Sequence, residues 1–186
     1  CFIYLFSIGG LTGLVLGSAG TDVHVHDTYF GVAHFHFVMF GGAGFAFVAG
    51  LHFWWPKMFG RLYDFKKAYG SAIRLTAGFM LHYLPMFVLG LQGMPRRYFD
   101  YRPQFEAGNF VAGFGAYMIM AAILLMFYNL LVSLKNGERA PSDPWGGTTL
   151  EWSLPSPPPM HNFESEPSVK EYPYDFTDVV KNARKS

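Results

Sequence analysis

Thr28-Tyr29-Phe30-Gly31-Val32-Ala33-His34-Phe35-His36-Phe37 opens a run, Thr28–Pro56, that contains no Asp, Glu, Lys or Arg. At about 1.5 Å per residue a helix of that length reaches about 43 Å, more than the roughly 30 Å of a bilayer's hydrocarbon core. A water-soluble amphipathic helix would carry charges on its wet face. Three more uncharged runs surround this one: Cys1–Thr21, Leu75–Pro95 and Ala107–Leu134. About 20 mainly apolar residues cross a bilayer as a helix, so each is long enough. The pattern predicts an all-α integral membrane bundle with four transmembrane helices, near residues 1–18, 28–56, 70–93 and 106–134.

Charge divides the chain. The short stretch 135–186 holds as much of the Lys, Arg, Asp and Glu as the much longer 1–134. This predicts a transmembrane part over 1–134 and a peripheral tail over 135–186 on the inner side. The tail holds most of the prolines, including Pro157-Pro158-Pro159, and reads as extended. A net charge of +1 offers no argument for nucleic acid, and the single cysteine, Cys1, cannot form an internal disulfide. A start without Met inside an apolar run leads us to expect a fragment, a processed product or a split polypeptide.

The segment Lys57–Arg74 is rich in basic residues (Lys57, Arg61, Lys66, Lys67 and Arg74), which places it on the cytoplasmic or matrix side. Before it, Trp54 and Trp55 suit the interfacial belt and Pro56 is expected to stop the helix. Alternation then puts the loop Ser18–Asp27, with Asp22, His24, His26 and Asp27, on the outer side. The loop with Arg96, Arg97 and Arg102 falls there too. An arginine pair on that side suggests a held anion; local pairing with Asp100 and Glu106 is the alternative. Gly9, Gly10, Gly13 and Gly17 would let another helix approach the first closely.

His34 and His36 sit inside the second span, where ionisable residues are costly and point to function. Successive helical residues turn by about 100°, so i and i+2 project about 200° apart. Two such imidazoles cannot share one metal, but each can serve a different one. The surrounding Phe35, Phe37, Phe40, Gly41, Gly42, Gly44 and Phe45 suit large flat cofactors, and haem iron commonly takes an axial histidine. Hydrogen bonding to neighbouring helices is the alternative for both, and the favoured reading of His82. His26-Asp27 offers one nitrogen and one oxygen to Mg²⁺ or Mn²⁺, or else forms a loop-end cap or bonded pair.

The string His26-Asp27-Thr28-Tyr29-Phe30-Gly31-Val32-Ala33-His34-Phe35-His36 closely resembles the signature of subunit I of haem-copper cytochrome c oxidases. Gly9-Gly10-Leu11-Thr12-Gly13, Gly93-Met94-Pro95-Arg96-Arg97-Tyr98 and Leu150-Glu151-Trp152 agree in order. The resemblance covers essentially the whole chain and implies the last four of the family's twelve helices plus the inner tail. It implies that His34 is the proximal, catalytic ligand of the high-spin haem, and His36 an axial ligand of the low-spin haem that feeds it electrons. His26 and Asp27 resemble the Mg or Mn ligands between subunits I and II. Arg96 and Arg97 resemble the pair on the haem propionates, while Asp22 and Tyr29 sit where the family places propionate or periphery contacts.

The function that the resemblance implies is O₂ reduction to water with electrons from cytochrome c, coupled to proton translocation. The implied cofactors are two haems of the a type and Mg or Mn, with copper ligated by residues outside this chain. The implied partners are the remainder of subunit I, subunits II and III, cytochrome c and membrane lipid. The expected location is a bacterial plasma membrane, with the mitochondrial inner membrane as alternative. Asp27 and Pro95 favour cytochrome c over quinol as donor. A non-oxidase dihaem carrier and a proton-transporter fragment are the readings from other classes.

Overall fold

The computed structural model describes residues 1–167; the expected tail beyond Pro167 lies outside the described residues. Among these, helices account for all regular structure: α1 (Phe2–Gly17), α2 (Ala19–Val25), α3 (Tyr29–Val38), α4 (Phe45–Phe59), α5 (Phe65–Leu91) and α6 (Glu106–Asn136). A π-helical segment, Met39–Gly44, joins α3 to α4, and single 3₁₀ turns lie at Pro103–Phe105 and Leu150–Ser153. Tyr29–Phe59, Phe65–Leu91 and Pro103–Asn136 are long and apolar enough to cross a membrane. A fourth span exists only if α1 and α2, bent by 101°, count as one.

Several expected boundaries move, each for a local reason. The loop Ser18–Asp27 contains α2, because extended Ser18 breaks the chain and its carbonyl then accepts from Thr21 N at 3.0 Å and Asp22 N at 2.8 Å. Two helical turns are too short to leave a hydrophobic period. Pro56 does not stop the second span, which runs on to Phe59. A proline removes one donor but keeps its acceptor, and the Pro56 carbonyl takes Gly60 N at 2.8 Å. α5 starts at Phe65, before the expected 70, with Lys66 and Lys67 in its first turn. A search for uncharged runs misses a helix end that reaches water.

The described residues form two compact units, 1–50 with 65–128 and 51–64 with 129–167. In the first, α3 packs against both α1 and α5. Its core is aromatic: Phe37 and Phe79 are fully buried with rings 5.0 Å apart, edge to face, and Phe30 meets Phe87 at 4.9 Å. Two glycines permit the close approaches. A Cβ at Gly9 would lie 3.0 Å from Val38 N, and one at Gly90 2.7 Å from Phe30 Cα. Thr28 caps α3, its hydroxyl accepting from Phe30 N at 3.2 Å.

In the second unit the tail follows an irregular path but is stitched down. Leu62 N donates to Glu138 O at 2.9 Å and Ala140 N to Gly60 O at 3.0 Å. Trp55 Nε1 donates to Ser133 Oγ at 2.8 Å. Lys57 Nζ donates to Ser142 O and Leu154 O, each at 2.8 Å, and lies 5.1 Å from the centre of the Trp152 ring. Trp152 is buried, edge-on to Phe53 at 5.0 Å.

Gly90→Ala should lower the thermal midpoint of the assembled protein, because overpacking against backbone costs about 1–3 kcal/mol. Trp152→Ala should cost about 3–5 kcal/mol within its unit and speed protease cleavage in the 138–156 segment; unchanged cleavage would contradict its anchoring role.

Candidate functional site

His34 and His36 leave α3 toward different neighbours. His34 reaches α1, with Nδ1 3.0 Å from Gly9 O and 3.2 Å from Thr12 Oγ1. The His36 ring stacks on Tyr83 of α5 at 4.5 Å, with Nδ1 2.8 Å from Val32 O. A carbonyl oxygen only accepts, so Nδ1 carries the hydrogen in both rings, and in the neutral imidazole Nε2 then carries the lone pair. Nε2 has no hydrogen-bond partner in either ring among the described residues. His82 also uses Nδ1, donating at 2.6 Å to Ala112 O on α6, an interhelical bond. His52 packs edge-on against Tyr63 at 5.0 Å.

Part of the aromatic and glycine-rich surround is filled from within the described residues. Phe37 and Phe45 are buried in the core with Phe79. Cβ atoms at Gly41 and Gly42 would lie 3.0 Å from Leu5 Cβ and 3.2 Å from Phe6 Cδ2. These glycines admit α1, and the expectation that they clear room for a flat cofactor is corrected accordingly. Gly13 differs: a Cβ there would lie 3.0 Å from His34 Cε1, so this glycine makes room for the ring itself.

The loops before α3 and after α5 lie side by side. Thr28 and Pro95 form an antiparallel bridge, with Tyr29 N donating to Met94 O and Arg96 N to Asp27 O, both at 3.0 Å. Arg96 clasps Asp27 Oδ1 through Nε at 2.7 Å and through Nη2, so its carboxylate partner is neither Asp100 nor Glu106. Asp27 Oδ2 instead faces His26 Nε2 at 3.5 Å, and His26 Nδ1 lies 3.5 Å from Asp22 Oδ2. Tyr29, half-buried, packs against two apolar clusters, one around Phe37 and Phe79 and one of Leu89, Met94 and Phe105. Arg97 is exposed beside Arg96. Asp27 and Arg97 both adopt left-handed backbone, φ 54° and 66°, a costly conformation for such residues that often marks functional loops.

The hydrogen bond from Arg96 holds the Asp27 carboxyl below its usual value, and the charges of Arg96, His26 and Arg97 act in the same direction. Among the described residues no three His, Cys, Asp or Glu side chains converge as a metal site. Any cation bound at His26 and Asp27 would need further ligands. The sequence reading missed Thr12, Gly13 and Tyr83 as neighbours of the two imidazoles. Only the first two carried a signal, as a hydroxyl and a small residue within Gly9–Gly13.

Comparison with known proteins places the chain. The family described as Cytochrome C and Quinol oxidase polypeptide I matches residues 1–127. Cytochrome c oxidase subunit 1 of Thermostichus vulcanus is 45% identical over 172 residues, covering 92% of this chain and 31% of that protein. The subunit 1 of Bacillus sp. (strain PS3) is 46% identical, covering 91% and 28%. A solved heme-copper terminal oxidase dimer shares the fold with a TM-score of 0.68 at 22% identity, over 97% of this chain and 30% of that one. The chain thus spans under a third of the length of these relatives.

A carboxyl whose pKa is depressed stabilises the folded state above its unfolded pKa, and that contribution is lost as pH falls through the lower, folded value. The Asp27 carboxyl band in pH-difference infrared spectra of chelator-treated protein, assigned with Asp27→Asn, should therefore titrate below the usual carboxylate value. Arg96→Gln should move its midpoint upward; an unmoved midpoint would remove Arg96 as the cause.

Proposed function

Because this chain belongs to the subunit I family of haem-copper cytochrome c and quinol oxidases, we propose that it supplies the C-terminal part of the catalytic subunit of a terminal respiratory oxidase. That enzyme would reduce O₂ to water with electrons from cytochrome c, coupled to proton translocation, in a bacterial plasma membrane. The remainder of subunit I and subunits II and III would complete it. One observation carries the reading: two membrane-embedded imidazoles on one helix, facing different neighbours, each with Nδ1–H on a backbone carbonyl and Nε2 left as a donor.

The donor set fits haem. An axial site asks for one imidazole nitrogen with a lone pair, and a second-shell carbonyl on the other nitrogen fixes tautomer and ring orientation. When bound, two haems of the a type would supply electron transfer and, with copper held by residues outside this chain, oxygen reduction. His34 would hold the high-spin haem and His36 the low-spin haem, both through Nε2. The Gly9 and Val32 carbonyls raise the basicity of their imidazoles.

Arg96 uses Nε and Nη2 on Asp27, which leaves Nη1 for a propionate, and Arg97 stands exposed beside it. His26 Nε2 and Asp27 Oδ2, 3.5 Å apart, are near enough to share one Mg²⁺ or Mn²⁺ with ligands from another subunit. Asp22 steadies His26 from its other nitrogen, and Tyr29 stands where the two loops pair. We assign both to the haem periphery. Asp27 and Pro95 take part in that pairing, and their identity favours cytochrome c over quinol as donor.

In the complete complex, His34→Ala should abolish the high-spin haem signal in a reduced-minus-oxidised optical spectrum and keep much of the low-spin signal; His36→Ala should do the reverse. Equal loss of both signals in both variants, in complexes that still assemble, would overturn the assignment. Oxygen uptake with reduced cytochrome c but not with quinol identifies the donor. No uptake with either would indicate an electron carrier, and no haem bands a transporter.

A further inference from the structure

α1 contributes no metal-ligating side chain, yet one of its faces is shaped to the His34 ring. Gly9, Thr12 and Gly13 are spaced i, i+3 and i+4, and so share a face of the helix. Each presents something different to the imidazole. Gly9 offers its carbonyl at 3.0 Å from Nδ1, Thr12 its hydroxyl oxygen at 3.2 Å from the same atom, and Gly13 the space that a Cβ would deny to Cε1. That helix is itself set firmly, since Gly9 lies against the backbone of Phe37 and Val38.

We infer that Thr12 is a positioning residue for His34, its hydroxyl serving as a second acceptor for the Nδ1 hydrogen. This rests on the reading of His34 as a haem ligand. The direction of the bond follows from the neighbours. The Thr12 hydroxyl lies 2.9 Å from Ile8 O and 3.0 Å from Gly9 O, and carbonyls only accept, so its single hydrogen turns back along α1. Its lone pairs then face the imidazole. The reverse arrangement, with Thr12 donating to Nδ1, would strip Nδ1 of hydrogen and set its lone pair against the Gly9 oxygen at 3.0 Å. One N–H shared between a carbonyl and a hydroxyl satisfies every group.

Two acceptors on one N–H do more than one. They prevent the ring from rotating about its axis, because the hydrogen is held from two directions. They also draw the Nδ1 proton outward, which makes Nε2 a stronger donor to any metal it binds. The contact is partly buried, so bulk water does not freely take the place of the hydroxyl. Stronger donation favours the oxidised metal, and Thr12 therefore lowers the midpoint potential of the group that His34 holds.

The test uses the intact oxidase complex, three substitutions at Thr12, and His34→Ala as the control for the ligand reading. Thr12→Val keeps the shape and removes the hydroxyl; Thr12→Ser restores it. In resonance Raman spectra of the reduced enzyme, the iron–imidazole stretch of the high-spin haem should fall in frequency in Thr12→Val and recover in Thr12→Ser. The high-spin midpoint should rise relative to the low-spin midpoint in the same sample, and turnover should fall by about tenfold. The low-spin signals, which depend on His36, should stay in place and report assembly. If Thr12→Val loses the high-spin haem, Thr12→Ala is read in its place with the same expectation. Loss from both, with retention in Thr12→Ser, also supports the role. A wild-type frequency in Thr12→Val, or equal changes in Thr12→Val and Thr12→Ser, overturns it. A high-spin signal that survives His34→Ala would refute the ligand reading itself; loss of that signal in His34→Ala beside an unchanged Thr12→Val refutes only the role of Thr12.

Discussion

Helix α3 lies at backbone distance from α1 and from α5, and a glycine on each neighbour makes that possible: Gly9 against Val38 on one side and Gly90 against Phe30 on the other. Apolar burial alone would bring the helices together without deciding how close they come. The glycines decide it. Close approach puts the His34 ring within hydrogen-bond range of an α1 carbonyl, and it stacks His36 on Tyr83. Phe37 and Phe79, fully buried edge to face, fill the space that remains beside α5.

An imidazole in a membrane must place its N–H on an acceptor, and helices offer few acceptors that are not already used. His34, His36 and His82 all solve this alike, with Nδ1 on a main-chain carbonyl. Only the first two stand two residues apart on one helix, and each keeps an Nε2 without a hydrogen-bond partner among the described residues, as His82 also does. What sets His34 and His36 apart from His82 is their spacing on one helix and the different neighbours that they meet. Nδ1 is satisfied in every case.

The polar end of the same unit is organised by a different force. Residues 27–29 and 94–96 pair through main-chain hydrogen bonds, and the ion pair of Asp27 with Arg96 closes loops that stand far apart in sequence. The carboxylate divides its work: Oδ1 goes to Arg96 and Oδ2 faces His26. Left-handed backbone at Asp27 and Arg97 turns the chain sharply at both loops. The proposed cation and propionate contacts thus share one small, strained region, where a change at Asp27 would be felt by both.

The helical membrane class was legible in the sequence, because charge in hydrocarbon is costly and its absence over runs such as Thr28–Pro56 is a long-range mark on a linear string. The spacing of His34 and His36 likewise forecast separate directions, since helical rotation is a local property. Short α2, the helix running through Pro56, and the filling of Gly41 and Gly42 by Leu5 and Phe6 left no such mark. Whether Arg96 would choose Asp27 over nearby Asp100 or Glu106 could not be read from order, nor could the meeting of Thr12 on one helix with His34 on another. Periodicity and run length describe what a residue does within its own helix. Which distant side chain it meets depends on how far apart and at what rotation two helices settle, and packing in three dimensions decides that.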